Sequence, residues 1–309
     1  MAMSVICTTT INPRTPAIRM YDQMEGWHLI VTGDMKSPVN YKLQNGSYIS
    51  WEQQQAEYPE LCKLIGPNST MRGRMIALLE AHKRSPELVA MVDDDCLPYP
   101  GWPGSIYVGC KYRSTFIPAS LGFDVGMLAY GTPARGFPPQ LWGKSMEMHR
   151  TADIIPMLQS NPCDGQADVD AVWRLGGKVD YGYSAIREPV WSNGFSLINP
   201  MHTIVLGSVL RDYCGEIPFV GHVCDIWAGY LFQAAHPNST IYGPSNCYHA
   251  QDRLYEKVLR ELESEIYSYR WGLEFLRGLQ EHGPNELEQI KCLPPKAVEA
   301  ITLYRSYYQ

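Results

Sequence analysis

Three consecutive carboxylates, Asp93-Asp94-Asp95, are the sharpest chemical feature of this chain. Adjacent carboxylates repel one another, and at the end of an apolar run a cation is what relieves them. A hard divalent ion, Mn²⁺ or Mg²⁺, takes oxygen ligands and usually sits between one or two carboxylates and substrate phosphates. In extended backbone Asp93 and Asp95 face one side and Asp94 the other. Asp95 is thus assigned as a direct metal ligand, Asp93 to the ribose or a metal-bound water, and Asp94 to the nucleotide side. The bland alternative is a solvated acidic turn. Further acids could take a proton from an acceptor hydroxyl or bind it: Asp168 and Asp170 in ADVDAVWR and Asp225 in HVCDIW. For Asp225 the competing role is a helix N-cap, and for Asp168 and Asp170 a surface loop. Arg72 and Arg74 begin a helix, where orphan backbone N–H groups and guanidinium forks suit a phosphate. Two positions apart, they cannot both point to one place.

These residues need elements to position them. Residues 4–9 (SVICTT), 27–32 (WHLIVT) and 88–92 (LVAMV) read as strands, the last nearly all apolar as in a sheet covered on both faces. Helix signals lie between them: residues 16–24, 51–64, and a helix capped by Asn68 or Ser69 that runs to about Arg84. The alternation predicts an α/β fold with a mostly parallel sheet. Ligands of such sheets bind beyond the carboxyl ends of the strands. The first strand ends in Thr8-Thr9-Thr10, the second in Gly33-Asp34 with Lys36 following, and the third in Asp93-Asp94-Asp95, so three polar termini converge. Residues 100–200 are rich in Gly and Pro and read as loops and short strands, as suits a segment shaped around a ligand. Helices are expected at 225–234, 252–280 and 296–307, the last two as packing or oligomer surface, with Leu254, Val258, Leu262, Ile266, Tyr269 and Leu273 on one face of the long one.

At 309 residues, 45% hydrophobic and 19% charged, the chain can bury a full core, and its net charge of −6 points to no polyanionic partner. Nine cysteines, an odd number without C-x-x-C spacing, read as reduced thiols. No basic leader and no apolar run of bilayer length is present, so the expectation is a cytoplasmic protein with no membrane contact.

Longer stretches carry a resemblance. TTTINPRTPAIRMYDQMEGWHLIVTGDMKSP, YISWEQQQAEYPELCKLIGPNSTMRGRMIALLEA, MVDDDCLPY, ADVDAVWRL, WSNGFSLINP, VCDIWAGYLFQ and YGPSNCYHAQD, spanning residues 4 to 252, resemble the STELLO-like glycosyltransferases. They also resemble the reversibly glycosylated polypeptides, which act as UDP-arabinopyranose mutases. The resemblance implies a GT-A (Rossmann-like) catalytic domain over residues 1–250 with a C-terminal helical extension over 251–309. It implies a UDP-sugar donor and Mn²⁺. Carried over by position, Thr8, Thr9 and Asp34 hold the nucleotide, with Thr10 and Lys36 beside them. Asp93 to Asp95 form the DxD-type motif, and Arg72 or Arg74 approaches the diphosphate or sugar. Asp168, Asp170 and Asp225 line the sugar and acceptor side, Arg72 is counted with these catalytic groups, and His249 supplies a late metal ligand. Cys224 stands where this group tends to carry an acid.

The function this implies is transfer of a sugar from a nucleotide sugar to a hydroxyl acceptor. The alternatives are a UDP-sugar mutase, which needs no acceptor, and a non-catalytic sugar-nucleotide-binding partner. The acceptor is open among a glycan, a protein, a small molecule and a modified base in DNA. For DNA, Lys111, Arg113, Arg135 and Lys144 could grip phosphates, although scattered surface charge is the preferred reading. A homo-oligomer through the C-terminal helices is also open.

Overall fold

The computed structural model describes residues 3–38, 41–67, 69–143, 149–176, 182–250 and 255–308. Its first third alternates as the sequence pattern predicts. Strand β1 (Ser4–Thr9) leads to helix α1 (Pro16–Tyr21), capped by the Thr15 hydroxyl with Pro16 opening the helix. Strands β2 (Trp27–Thr32) and β3 (Gly46–Ile49) follow. The stretch read as one helix over 51–64 is two, α2 (Trp51–Glu57) and α3 (Pro59–Ile65). Pro59 cannot continue α2 and instead opens α3, while Ser50 and Gln53 form a capping box at the start of α2. Ser69 caps α4 (Thr70–His82), and Asn68 lies outside the described residues.

Strand β4 (Leu88–Val92) is buried on both faces, as its apolar run requires. Val89 and Met91 enter a core shared with Val5, Cys7 and α4, while Ala90 and Val92 enter a second core with Ile6, Leu29, Tyr21 and Trp102. These two layers are the period-2 alternation of the strands seen from each side of the sheet.

The Gly- and Pro-rich middle supplies strands the sequence pattern did not locate: β5 (Cys96–Pro98), β6 (Tyr112–Ile117), β7 (Arg150–Ile154), β8 (Leu158–Ser160), β9 (Asp164–Gly165), β10 (Val190–Ser192) and β11 (His202–Leu206). Helices α5 (Val125–Tyr130) and α6 (Ala171–Leu175) lie among them, and α7 (Cys224–Ala235), β12 (Thr240–Tyr242) and β13 (Cys247–His249) follow. The main sheet has ten strands in the order β3-β2-β1-β4-β11-β8-β12-β10-β6-β7, and β5-β13-β9 form a small second sheet. Strands β1 to β4 are mutually parallel, but β11 runs antiparallel to both β4 and β8, so the far half of the sheet is mixed. The strand order departs from β1 in both directions, to β2 on one side and β4 on the other, which is a topological switch point.

Helix α8 (Tyr255–His282) and helix α9 (Pro295–Ser306) complete the chain. Phe275, Leu276, Leu279 and Tyr304 belong to the same core as Val5 and α4. The buried face of the first half of α8 is polar, through Glu261, Glu265 and Ser268, whereas Ile266 is exposed. The apolar stripe expected through Leu262 and Ile266 is therefore rotated partly outward, because α8 turns carboxylates inward onto α6 and the cleft described below. No described helix is long and apolar enough to cross a membrane.

Candidate functional site

The switch point between β1 and β4 opens into a cleft with two adjoining lobes, of about 1030 and about 980 Å³, that share Thr9, Thr70, Asp94 and Asp95. Gly73 lets α4 approach this point closely: a Cβ there would stand 2.4 Å from the Thr9 hydroxyl, and the Gly73 carbonyl accepts from the Thr32 hydroxyl at 2.9 Å. Ile11, Pro16, Ala17 and Leu97 give the first lobe apolar walls. The second lobe is lined largely by charged groups.

Each carboxylate of the Asp93-Asp94-Asp95 corner has a different partner. Asp94 accepts from the Thr10 hydroxyl and, at 3.1 Å, from the Asn12 amide, and its carbonyl accepts from the Thr15 hydroxyl. Asp93 pairs with the Arg74 guanidinium, whose other arm reaches Glu216 at 2.5 Å. Asp95 faces His249 Nε2 at 3.3 Å. His249 Nδ1 lies 2.7 Å from the Gln166 carbonyl. A carbonyl only accepts, so Nδ1 carries the proton, and in the neutral ring Nε2 presents its lone pair toward Asp95. A lone pair and a carboxylate oxygen at that distance require either a second proton on the ring or a cation at the corner.

The floor of the second lobe is a buried ion cluster. Arg135 donates to Asp168 through Nε at 2.6 Å and Nη2 at 2.8 Å, to Asp225 through Nη2 at 2.7 Å, and to the His222 carbonyl. Asn199 donates to Asp168 at 2.6 Å. Helix α7 begins at Cys224 with no side-chain cap, so Asp225 is not its N-cap; it sits in the first turn, where the helix dipole favours an anion. Lys257 and Glu261 of α8 also line this lobe.

Burial pushes Asp93 up to about 6, against the lowering pull of Arg74. Burial likewise raises Asp94, with the Thr10 and Asn12 hydrogen bonds opposing. For Asp95 burial acts upward, but the hydrogen bond and charge of His249, with Lys257, outweigh it and hold the carboxyl below its ordinary value. Burial raises Glu216 to about 7, with Arg74 opposing. Arg135, then burial, lower His222 to about 4. Burial alone would lower Arg74, yet Asp93 and Glu216 reverse this and the guanidinium stays charged.

Of the residues singled out from sequence, the cleft brings together Thr9, Thr10, Arg74, Asp93, Asp94, Asp95, Asp168, Asp225 and His249. Others are placed elsewhere. Arg72 is fully buried on the far side of α4, donating to Gln54 Oε1 at 3.1 Å and to the Gly66 carbonyl while stacked over Trp51. That side chain lines neither lobe of the cleft. The 100° step per helical residue is why it diverges from Arg74. Asp170 is the N-cap of α6, accepting from the Val172 and Trp173 amides and from the Tyr269 hydroxyl, and does not line the cleft. Asp34 accepts from the Lys36 amide at 2.7 Å within its own turn, Lys36 is exposed, and the Thr8 side chain is buried on the opposite face from Thr9. None of these three lines either lobe. The basic patch dissolves as well: Lys111 and Arg113 both pair with Asp153 at the exposed β6–β7 edge, Arg135 is interior, and Lys144 lies outside the described residues.

Sequence reasoning passed over Arg135 as a cleft residue, and with it Glu216, Lys257 and Glu261. None sits in a motif, and the only signal near Arg135 is the turn-rich GTPARGFPP segment that carries it. No protein-family model and no curated protein matches this chain.

Proposed function

We propose that this chain is a divalent-metal-dependent glycosyltransferase that moves a sugar from a nucleotide sugar to a hydroxyl acceptor. The observation that carries this reading is the meeting of Asp95, in the turn before β5, and His249, on β13 far away in sequence, with the lone pair of His249 fixed toward Asp95 by Gln166. Two oxygen and nitrogen donors opening on a cleft suit Mn²⁺ or Mg²⁺, which retain positions for phosphate oxygens. Such an ion neutralises the charge that gathers on a departing diphosphate.

In this reading Asp95 and His249 hold the ion, and Asp93, kept in place by Arg74, hydrogen-bonds the ribose or a metal-bound water. Thr10, Asn12 and Thr15 fix the corner by gripping Asp94. The apolar lobe takes the base of the nucleotide, UDP by the resemblance drawn from the sequence, and the charged lobe takes the sugar. The acceptor oxygen attacks the anomeric carbon as the bond to the diphosphate oxygen breaks, and a carboxylate receives the acceptor proton. Asp168 and Asp225 suit that task poorly, since their carboxylate oxygens are already engaged by Arg135 at 2.6 to 2.8 Å. Their place is to hold Arg135 against the sugar lobe. Glu216, raised to about 7, has the proton affinity best matched to exchange near neutrality.

The test is calorimetric titration of a panel of uridine and guanosine sugar nucleotides, with Mn²⁺ and then with EDTA, followed by hydrolysis and acceptor trials with the tightest donor. Metal-dependent binding that Asp95→Asn weakens supports the reading. Equal affinity with the metal chelated, and again with Asp93 and Asp95 both neutralised, ends it. Conversion of a UDP-pentose without any acceptor would replace transfer by a mutase reaction at the same site.

A further inference from the structure

Behind the Asp93-Asp94-Asp95 corner lies a second cluster that the proposed reaction does not use. Cys96 on β5, Cys163 just before β9 and Cys247 on β13 come from three adjacent strands of the small sheet, and their sulfur atoms all lie within 4.8 Å of one another. All three are buried, and the Cys163 and Cys247 sulfurs are 3.0 Å apart. Four ligands around a tetrahedral zinc at about 2.3 Å place the sulfurs about 3.8 Å from one another, so a small movement of these side chains admits the ion.

Thiols packed only as small apolar groups would need nothing further. The surroundings are not apolar, however. His202, at the start of β11, is 1% exposed and neither ring nitrogen has a hydrogen-bond partner. A neutral imidazole always carries one donor and one acceptor, and leaving both unmet in the interior is rare. Met201, the neighbour of His202, packs within the cysteine cluster itself. The Tyr21 hydroxyl is buried without a partner too. Trp102 packs against both rings, 5.2 Å from Tyr21 and 5.9 Å from His202.

We propose that Cys96, Cys163 and Cys247 hold a structural zinc ion. Three buried thiolates at this spacing are soft ligands that suit zinc. The site ties β5, β9 and β13 together. Because Cys96 follows Asp95 and Cys247 precedes His249 by two residues, it sets the spacing of the corner that faces the cleft.

The experiment uses the full chain, untagged and produced in zinc-supplemented medium. Elemental analysis should find about one zinc per chain, released in step with three thiols by a thiol-directed mercurial and read with a colorimetric zinc indicator. Cobalt exchanged into the site should show the near-ultraviolet thiolate-to-cobalt band and the strong visible bands of tetrahedral cobalt. Cys163→Ser and Cys247→Ser should each lose the zinc. Asp95→Asn should keep the zinc, which separates this site from the cleft ion. Should the cysteine variants not fold, the cobalt spectrum and mercurial titration of the unaltered chain decide alone. Less than about 0.1 zinc per chain, with a cobalt spectrum lacking the thiolate band, overturns the proposal. A Cys163–Cys247 disulfide in the peptide map of protein purified under reducing conditions overturns it equally.

Discussion

Replacing Arg135 by methionine keeps most of the side-chain volume and removes the charge at the centre of the cleft floor. The guanidinium donates to Asp168 at 2.6 and 2.8 Å, to Asp225 at 2.7 Å and to the His222 carbonyl, with both carboxylates about 6% exposed. After the change Asn199 still donates to Asp168 at 2.6 Å and the Ile226 amide to Asp225 at 2.9 Å, but the guanidinium that served both is gone. Removing one partner of a buried ion pair leaves an uncompensated charge and costs about 3–5 kcal/mol, so a loss of about 4 kcal/mol is expected at pH 7.5. For a chain of this size that corresponds to a fall in Tm of roughly 6 °C. Adding Asp168→Asn and Asp225→Asn should recover part of the loss, because neither amide leaves a charge behind. Urea unfolding followed by circular dichroism measures this. A loss under about 1 kcal/mol, or no recovery in the triple variant, would refute the buried cluster.

Three further outcomes follow from the same geometry. His249→Ala should weaken Mn²⁺-dependent nucleotide-sugar binding by about 10–100-fold with little effect on metal-free folding, as read by calorimetry and thermal melts. With Asp93 raised to about 6, its contribution to the metal-free fold is complete below the ordinary carboxylate value and is lost as pH rises through 6. The Mn²⁺-induced rise in Tm should accordingly fade from pH 7.5 to 5.5 as protons compete for the corner, and Asp93→Asn should flatten that dependence. Arg72→Met should cost about 2 kcal/mol, by orphaning Gln54 and the Gly66 carbonyl, while leaving nucleotide affinity unchanged; Arg74→Met should reduce affinity. Equal effects of the two arginine variants on binding would contradict their opposite orientation.

The parallel half of the sheet was legible because its signals are local. LVAMV reads as a doubly covered strand, and Thr15, Ser50 and Ser69 announce the helices they cap. The mixed half was not, since β8, β10 and β12 are three residues long and owe their pairing to neighbours far away in sequence. The same division runs through the site. Asp95 is visible as part of an acidic run at a strand end, but nothing near Arg135 tells an interior guanidinium from a surface one. Motif spacing also could not show that Cys96, Cys163 and Cys247 converge, because a β-sheet needs no short spacing to bring them together. Arg72 and Asp170 show the converse. Each has a residue type and neighbourhood suited to chemistry, yet a buried helix face claims one and a helix cap the other.

The solvated acidic turn, the bland alternative for Asp93-Asp94-Asp95, makes a definite structural demand. Its carboxylates should point into water and differ little from one another. Instead each is half-buried and held by a different kind of group: a guanidinium for Asp93, hydroxyl and amide donors for Asp94, and an imidazole for Asp95. The Arg74 guanidinium answers Asp93, yet burial still raises both Asp93 and Asp94, whereas at Asp95 burial is outweighed by His249 and Lys257, which hold it below its ordinary value. Asp95 is thus the carboxylate of the three most ready to meet a cation, and it stands at the junction of the two lobes, where such an ion would reach both halves of a nucleotide sugar.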